Sequence, residues 1–346
     1  MLQDCWNRSA AVSSSTRRST RQAPDAFETS HALRLVFDTA ALRVLVGLGP
    51  LLLFLLEAAA AAAPITFAAI GDFGSDYFST RQVSRLVKAW QPQFIITLGD
   101  NNYPSGAAET IDRNVGQFYH EFIFPYLGRY GAGAQSNRFF PCLGNHDWIA
   151  TNARPYLDYF TLPGNERYYT LTRGPVQLFC VDSDKHEPDG CTFDSPQGQW
   201  FQRQLAESKA VWKIVYFHHA PYSSGILHGT HTGETAHMLW PFHEWGADAV
   251  LAGHDHIYER VHANGLIYLV CGLGGDSRDK MHFPPVPGSV RRYAEEFGAL
   301  RVDAADNYLL LRFFTWRGTQ IDSYRMVPRP KPEGLPTTPG PGPASL

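Results

Sequence analysis

Short apolar runs recur along the chain from Ile65 to Trp316, each closed by glycine or a polar cluster. The first five are ITFAAI from Ile65, QFIITL from Gln93, RFFPCL from Arg138, WKIVYF from Trp212 and DAVLAG from Asp248. Runs this short and this apolar read as strands buried on both faces. LIYLVC from Leu266 and YLLLRFFT from Tyr308 read as further strands. Two intervening segments, Ser79–Gln91 and Ser195–Ser208, are polar and helix-like. In the second, Ser195 is placed as an N-cap with Pro196 at the first helical position. Strand–helix alternation of this kind predicts a layered α/β fold.

The ends of the chain follow different patterns. Residues 1–32 are rich in Ser, Thr and Arg without periodicity and read as disordered. Residues 44–63 are almost wholly apolar, follow Arg34 and Arg43, and end in EAAAAAAP. That order matches a secretory signal peptide with a small-residue cut. An uncleaved signal anchor is the alternative, although Pro50 and Glu57 interrupt the run. The expected organisation is therefore 1–63 as N-terminus plus signal peptide or anchor, 64–327 as one folded domain, and 328–346 as a disordered Pro/Gly-rich tail. The expected location is secreted, periplasmic or cell envelope, with a membrane tether through 44–63 if that segment is retained.

Composition narrows the partners. With 346 residues and a formal charge of -3, the chain has the size for a large core and no electrostatic bias toward nucleic acid. Five Cys occur without a CxxC pair, so a cysteine zinc site is not expected. Cys180 and Cys191 flank a short polar stretch and are the expected disulfide in an oxidising compartment. Cys142 and Cys271 read as small buried hydrophobes within strands.

The chemistry lies where the strands stop. The first five runs end at Asp72, Asp100, Asn145, His218 and His254. Ligands of layered α/β sheets bind beyond the carboxyl ends of the strands, so these residues are expected around one point. Two carboxylates among imidazoles are costly to bury unless cations compensate them. Mixed oxygen and nitrogen donors suit zinc, manganese or iron. His218 and His219 are adjacent and face opposite sides of a strand. The spacing from Val215 favours His218, and His219 is left as a residue that faces substrate.

In order, the motifs are GDFG at 71–74, GDNNY at 99–103, GNHD at 144–147, VYFHH at 215–219 and GHDH at 253–256. Five in this order, each after an apolar run, resemble the calcineurin-like metallophosphoesterase superfamily. The resemblance implies a layered β-sandwich of mixed sheets flanked by helices, with a dinuclear metal site at the C-terminal ends of the strands. Many members place a His two residues after the first Asp, where this chain has Gly74. Tyr103, three residues beyond Asp100, instead makes the pattern similar to purple acid phosphatases of the short, tartrate-resistant type.

By that resemblance one metal takes Asp72, Asp100, Tyr103 and His256. The second takes Asp100, Asn145, His218 and His254, with Asp100 bridging. The implied cofactors are Fe(III) plus Fe, Zn or Mn. The implied reaction is metal-dependent hydrolysis of a small phosphate monoester, as an acid phosphatase, by a metal-bound hydroxide. His146 is expected to protonate the leaving alkoxide or contact phosphate, with Asp147 orienting it. The alternatives are a phosphodiesterase or nucleotidase on the same site, or a non-catalytic metal- or phosphate-binding module. His228, His231, His237 and His243 follow the fourth motif in a polar, Gly-rich stretch; surface His is the default reading, with one of them placed to touch substrate.

Overall fold

A computed structural model describes residues 64–329. The expected signal segment and N-terminus at 1–63, and the tail from residue 330 onward, lie outside the described residues. No helix among the described residues is long and apolar enough to cross a membrane.

The apolar runs form strands as expected: β1 (Ile65–Ile70), β2 (Phe94–Thr97), β3 (Phe139–Pro141), β6 (Trp212–His219), β7 (Ala249–Gly253), β9 (Leu266–Cys271) and β12 (Tyr308–Thr315). The remaining strands are β4 (Tyr169–Arg173), β5 (Val176–Cys180), β8 (Tyr258–Ala263), β10 (Ser289–Tyr293), β11 (Gly298–Ala305) and β13 (Gln320–Met326). They build two mixed sheets. One has six strands in the order β13-β12-β11-β1-β2-β3, and the other has seven in the order β10-β8-β9-β7-β6-β5-β4. Within them, β1, β2 and β3 run parallel. So do β5, β6, β7 and β9. Parallel neighbours bring their carboxyl ends to one edge, and this is what delivers the motif residues together.

Alternation along β6 shows how both faces are covered. Ile214 and Tyr216 enter the main core with Phe67, Ile96 and Leu300 of the first sheet. Val215 and Phe217 point the other way, into a second cluster with Phe201, Leu205 and Trp240. Polar contacts pin the two sheets as well. The Trp212 indole N–H donates to Ala305 O (2.7 Å), and the Tyr169 hydroxyl donates to Pro141 O (2.6 Å). Arg260 of β8 pairs with Asp322 of β13 (2.7 Å).

The helices are few. The expected segments form α1 (Phe78–Ala89) and, after a short α2 (Asn145–Ile149), α3 (Pro196–Glu207). Ser195 caps α3, its hydroxyl accepting from Gly198 N (3.1 Å), with Pro196 at the first helical position. Val83 and Val87 carry the apolar stripe of α1 into the core.

The expected Cys180–Cys191 disulfide is not formed: both thiols are free and buried. Cys180 ends β5, and its side chain turns into the intersheet core, where Sγ approaches Pro141 O at 3.9 Å. Cys191 lies instead in the loop that leads into α3. Cys142 and Cys271 are buried as expected, and burial pushes the Cys142 thiol up, its next neighbour being Cys180.

Phe67 is fully buried and stacks on Phe94 with ring centroids 4.8 Å apart. Phe67→Ala is expected to destabilise the protein by about 3–5 kcal/mol, as for large-to-small core changes generally, measured by urea unfolding.

Candidate metal centre

Local backbone conformation aims the motif side chains inward. Asp72, Asp100 and His254 each follow a strand with a left-handed backbone, at φ 56°, 53° and 72°. Such conformations are uncommon outside glycine and cluster where surrounding structure over-determines them. Here the turns are closed by Asp72 N donating to Gly99 O (3.2 Å) and Gly74 N to Asp100 O (3.2 Å). Gly99 has φ 86° and lies so close to the His218 ring that a Cβ would press on it. Gly74 is equally constrained, since a Cβ there would collide with the Asn101–Asn102 peptide. A histidine at position 74 is therefore excluded by backbone packing, and the Tyr103 side chain occupies that quarter of the site.

The seven expected donors converge in two overlapping groups. The Tyr103 hydroxyl lies 2.9 Å from Asp100 Oδ2, 3.3 Å from Asp72 Oδ1 and 3.1 Å from His256 Nε2. In the second group, His218 Nε2 lies 2.9 Å from Asn145 Oδ1, 3.1 Å from His254 Nδ1 and 3.4 Å from Asp100 Oδ2. Asp100 Oδ2 thus belongs to both groups. Ligand atoms of Asp72, Asp100 and His218 all lie within 4.8 Å of one another, and the three side chains are buried. The set fits two cations on chemical grounds: carboxylate, phenol and imidazole on one side, carboxylate, amide oxygen and two imidazoles on the other.

The electrostatics point the same way. Burial alone would raise Asp100, but the His218 imidazole outweighs it and holds the carboxyl below the usual carboxylate range. Burial lowers His218 and His256, yet the facing carboxylates win, Asp100 lifting the first to about 10 and Asp72 the second to about 9. Burial, then Asp100 and Asp72, push the Tyr103 phenol well above its ordinary range. Without cations, protons on His218 and His256 supply the compensating charge. Backbone and hydroxyl partners orient the rings: His218 Nδ1–H donates to Leu98 O (2.8 Å), and His256 Nδ1 meets the Ser277 hydroxyl.

Three further residues were expected to serve the substrate, His146 and His219 directly and Asp147 by orienting His146. His146 lines a cavity of about 720 Å³ over the donors, with Nδ1–H donating to Pro104 O (2.6 Å) and its backbone N donating to Asp100 Oδ1 (2.9 Å). Asp147 does not orient the His146 ring. Its buried carboxylate accepts from Gly144 N (2.9 Å) and from the Asn101 backbone and side chain (3.1 and 2.8 Å). It therefore shapes the loops that carry Asp100 and Asn145, and burial raises it to about 6. His219 does not line the cavity: it is buried, its Nδ1 is 2.8 Å from the Ser183 hydroxyl, and its ring packs 4.4 Å from that of His254. The backbone bulge between Tyr216 and His219 turns it behind the second donor group.

Of the four His after the fourth motif, His228 is the one that lines the cavity, and Arg113, which the sequence did not single out, lines it too. His228 sits in the polar loop after β6, its ring 4.1 Å from that of His254. Arg113 lies in a π-helical turn, Asp112–Gly116, a distortion often found at functional sites. Neither carries a local spacing signal; only the fold brings them here.

The calcineurin-like phosphoesterase family model matches residues 65–258, more than half of the chain and all five motifs. The chain belongs to the calcineurin-like phosphoesterase family. Among curated relatives, it is 24% identical over 296 residues to the Fe(3+)-Zn(2+) purple acid phosphatase 12 of Arabidopsis thaliana, covering 74% of this chain and 60% of that protein. It is 25% identical over 266 residues to tartrate-resistant acid phosphatase type 5 of Rattus norvegicus, covering 67% and 79%. The structure of the purple acid phosphatase PPD1 from yellow lupin seeds superposes with a TM-score of 0.60 at 18% identity, over 77% of this chain and 54% of that one, and shows the shared metallophosphatase fold. Together, this calcineurin-like phosphoesterase and its relatives support metal-dependent hydrolysis of phosphoesters.

Three outcomes follow from the site. Gly74→Ala is expected to displace the Asn101–Asn102 peptide and lower metal content well below that of the parent protein, measured by elemental analysis. A pH effect has a defined sign. Because His218 and His256 titrate above the ordinary 6.5, metal ions must displace protons from them at pH 7. Calorimetric titration of the metal-free protein with Zn(II) is expected to release about two protons per chain and to weaken as pH falls from 8 to 6. In the metal-free state the same groups stabilise the fold fully below pH 6.5. That stability is lost as pH rises through about 9 and 10, so the melting temperature should fall over that window.

Proposed function

We propose that this chain is an exported acid phosphatase of the purple type, hydrolysing small phosphate monoesters with Fe(III) beside Fe, Zn or Mn. The observation that carries the reading is Tyr103. Its hydroxyl is placed among Asp72, Asp100 and His256, where packing against the Asn101–Asn102 peptide denies position 74 any side chain. A phenol raised by burial and two carboxylates deprotonates only against a strongly charged cation, which favours a trivalent ion in that group.

Asp72, Tyr103 and His256 would hold the ferric ion, Asn145, His218 and His254 the second, and Asp100 both. Bound there, the two cations lower the pKa of water and offset charge on phosphoryl oxygens. The chain's own groups do the rest. His146 commits Nδ1–H to Pro104 O, which leaves Nε2 to hold a proton for the departing alkoxide. The buried Asp147 carboxylate keeps the loops behind Asp100 and Asn145 in register. Among the described lining residues other than the donor Asp100, the carboxylates Asp76, Asp276 and Asp279 outnumber the one guanidinium, Arg113. A rim of that sign suits a compact monoester better than a long polyanion. Export rests on the apolar segment 44–63 with its basic flank.

The test joins metal analysis to a spectrum. The purified protein is expected to hold two metals per chain including iron, to show a broad visible band that Tyr103→Phe abolishes, and to turn over phosphomonoesters at acidic pH. Two metals without iron and without that band would remove the tyrosine–Fe(III) assignment. Faster turnover of diesters than monoesters would favour the phosphodiesterase reading.

A further inference from the structure

A metal-bound imidazole needs its second nitrogen to keep the proton, and the partner of that nitrogen decides which tautomer is present. Two of the three histidine donors satisfy this within the strand-end framework, through Leu98 O for His218 and the Ser277 hydroxyl for His256. His254 differs. Its Nδ1 faces the donor group, 3.1 Å from His218 Nε2, so when Nδ1 ligates a metal it is Nε2 that keeps the proton. The ring is 5% exposed, and Nε2 is buried with no partner at hydrogen-bond distance. The carboxylate facing that atom is Glu234, with Oε1 at 3.7 Å.

Glu234 comes from the polar loop between β6 and β7. Its other oxygen, Oε2, lies 2.9 Å from His228 Nδ1, and the His228 ring packs 4.1 Å from that of His254, tilted by 40°, and lines the cavity. The loop is fixed at both ends. Ser224 bonds Glu259 of β8 through its backbone N and its hydroxyl (2.6 and 2.7 Å), and Met238 and Trp240 enter the second core cluster. Between these anchors Glu234 stays about half exposed, with 47% of its side chain accessible. Its removal therefore takes away a charge and an acceptor without opening the core.

We propose that Glu234 is a positioning residue for the second metal: it accepts the Nε2–H of His254, holds Nδ1 free to ligate, and ties that ligand to His228 on the substrate side. The inference rests on the dinuclear reading above. It links the polar loop, which borders the cavity, to the affinity of one metal and not the other, because none of Asp72, Tyr103 or His256 is bonded to Glu234.

The test is calorimetric titration of the metal-free full-length chain with Zn(II), alongside Glu234→Ala and Glu234→Gln. In Glu234→Ala the second of two equivalents is expected to weaken about 10–100-fold, the range for loss of an outer partner of a metal ligand, with the first unchanged. Glu234→Gln, which keeps an accepting oxygen, should recover part of that loss. Nitrogen-15 NMR of the metal-free protein should show His254 moving from the Nε2–H tautomer toward a mixture in Glu234→Ala, with an unchanged melting temperature. Two equivalents at parental affinity in both variants would overturn the role of Glu234 while leaving the dinuclear site standing. A third equivalent in the parent that alone disappears would overturn it too, making His228, Glu234 and His254 a separate metal site. Fewer than two equivalents in the parent would remove the dinuclear reading itself.

Discussion

Two carboxylates, Asp72 and Asp100, are buried beside each other at the junction of two sheets, and the rest of the site is arranged around the cost of that placement. Neither can leave, since each is fixed by a left-handed turn between a strand and a tightly packed loop. Burial disfavours the charge of Asp100, yet the facing His218 imidazole holds it ionised and takes up a proton itself. The cluster's demand for positive charge is met by protons on the imidazoles until cations replace them. Divalent or trivalent cations meet that demand with donors already in place, at little cost in rearrangement.

The sheets provide the rigidity that this electrostatic arrangement needs. Parallel strands buried on both faces leave their carboxyl ends as the place where polar groups can gather. Tyr216, Tyr169 and Trp212 hydrogen-bond across the intersheet core, so the first sheet, with Asp72, Asp100 and Asn145, is held against the second, with His218 and His254. Asp147 adds a local brace by bonding both Asn101 and Gly144, the residues just behind two of the donors.

Specificity within the family turns on space as much as on chemistry. Position 74 has no room for any side chain, and the oxygen donor that takes its place arrives from Tyr103 on the neighbouring loop. The loop after β6 adds a second layer, with His228 on the cavity and Glu234 behind His254. That layer is polar and partly exposed, whereas the strand-end layer is buried.

The sequence by itself determined the parts governed by local pattern. Apolar runs specify β1, β2, β3, β6, β7 and β9, because a strand buried on both faces has no polar positions to disguise it, and β12, buried on alternate residues only, is still apolar at all but Arg312 and its ends. The capped start of α3 and the seven donor positions are local for the same reason, each donor falling at a strand end in a short motif. Strands β4, β5, β8, β10, β11 and β13 were not legible: several alternate with polar residues or are short, and only pairing to a neighbour settles them. Three questions were decided by tertiary structure alone. Cys180 and Cys191 were expected to pair because they are near in sequence, but the pleat of β5 directs Cys180 into the core. Asp147 was expected to orient His146 and His219 to face substrate, but hydrogen bonds to Asn101 and Ser183 hold them behind the donors. Arg113 borders the site from a π-helical turn and His228 and Glu234 from a loop without periodicity, whose placement depends on distant anchors such as Glu259 and Trp240.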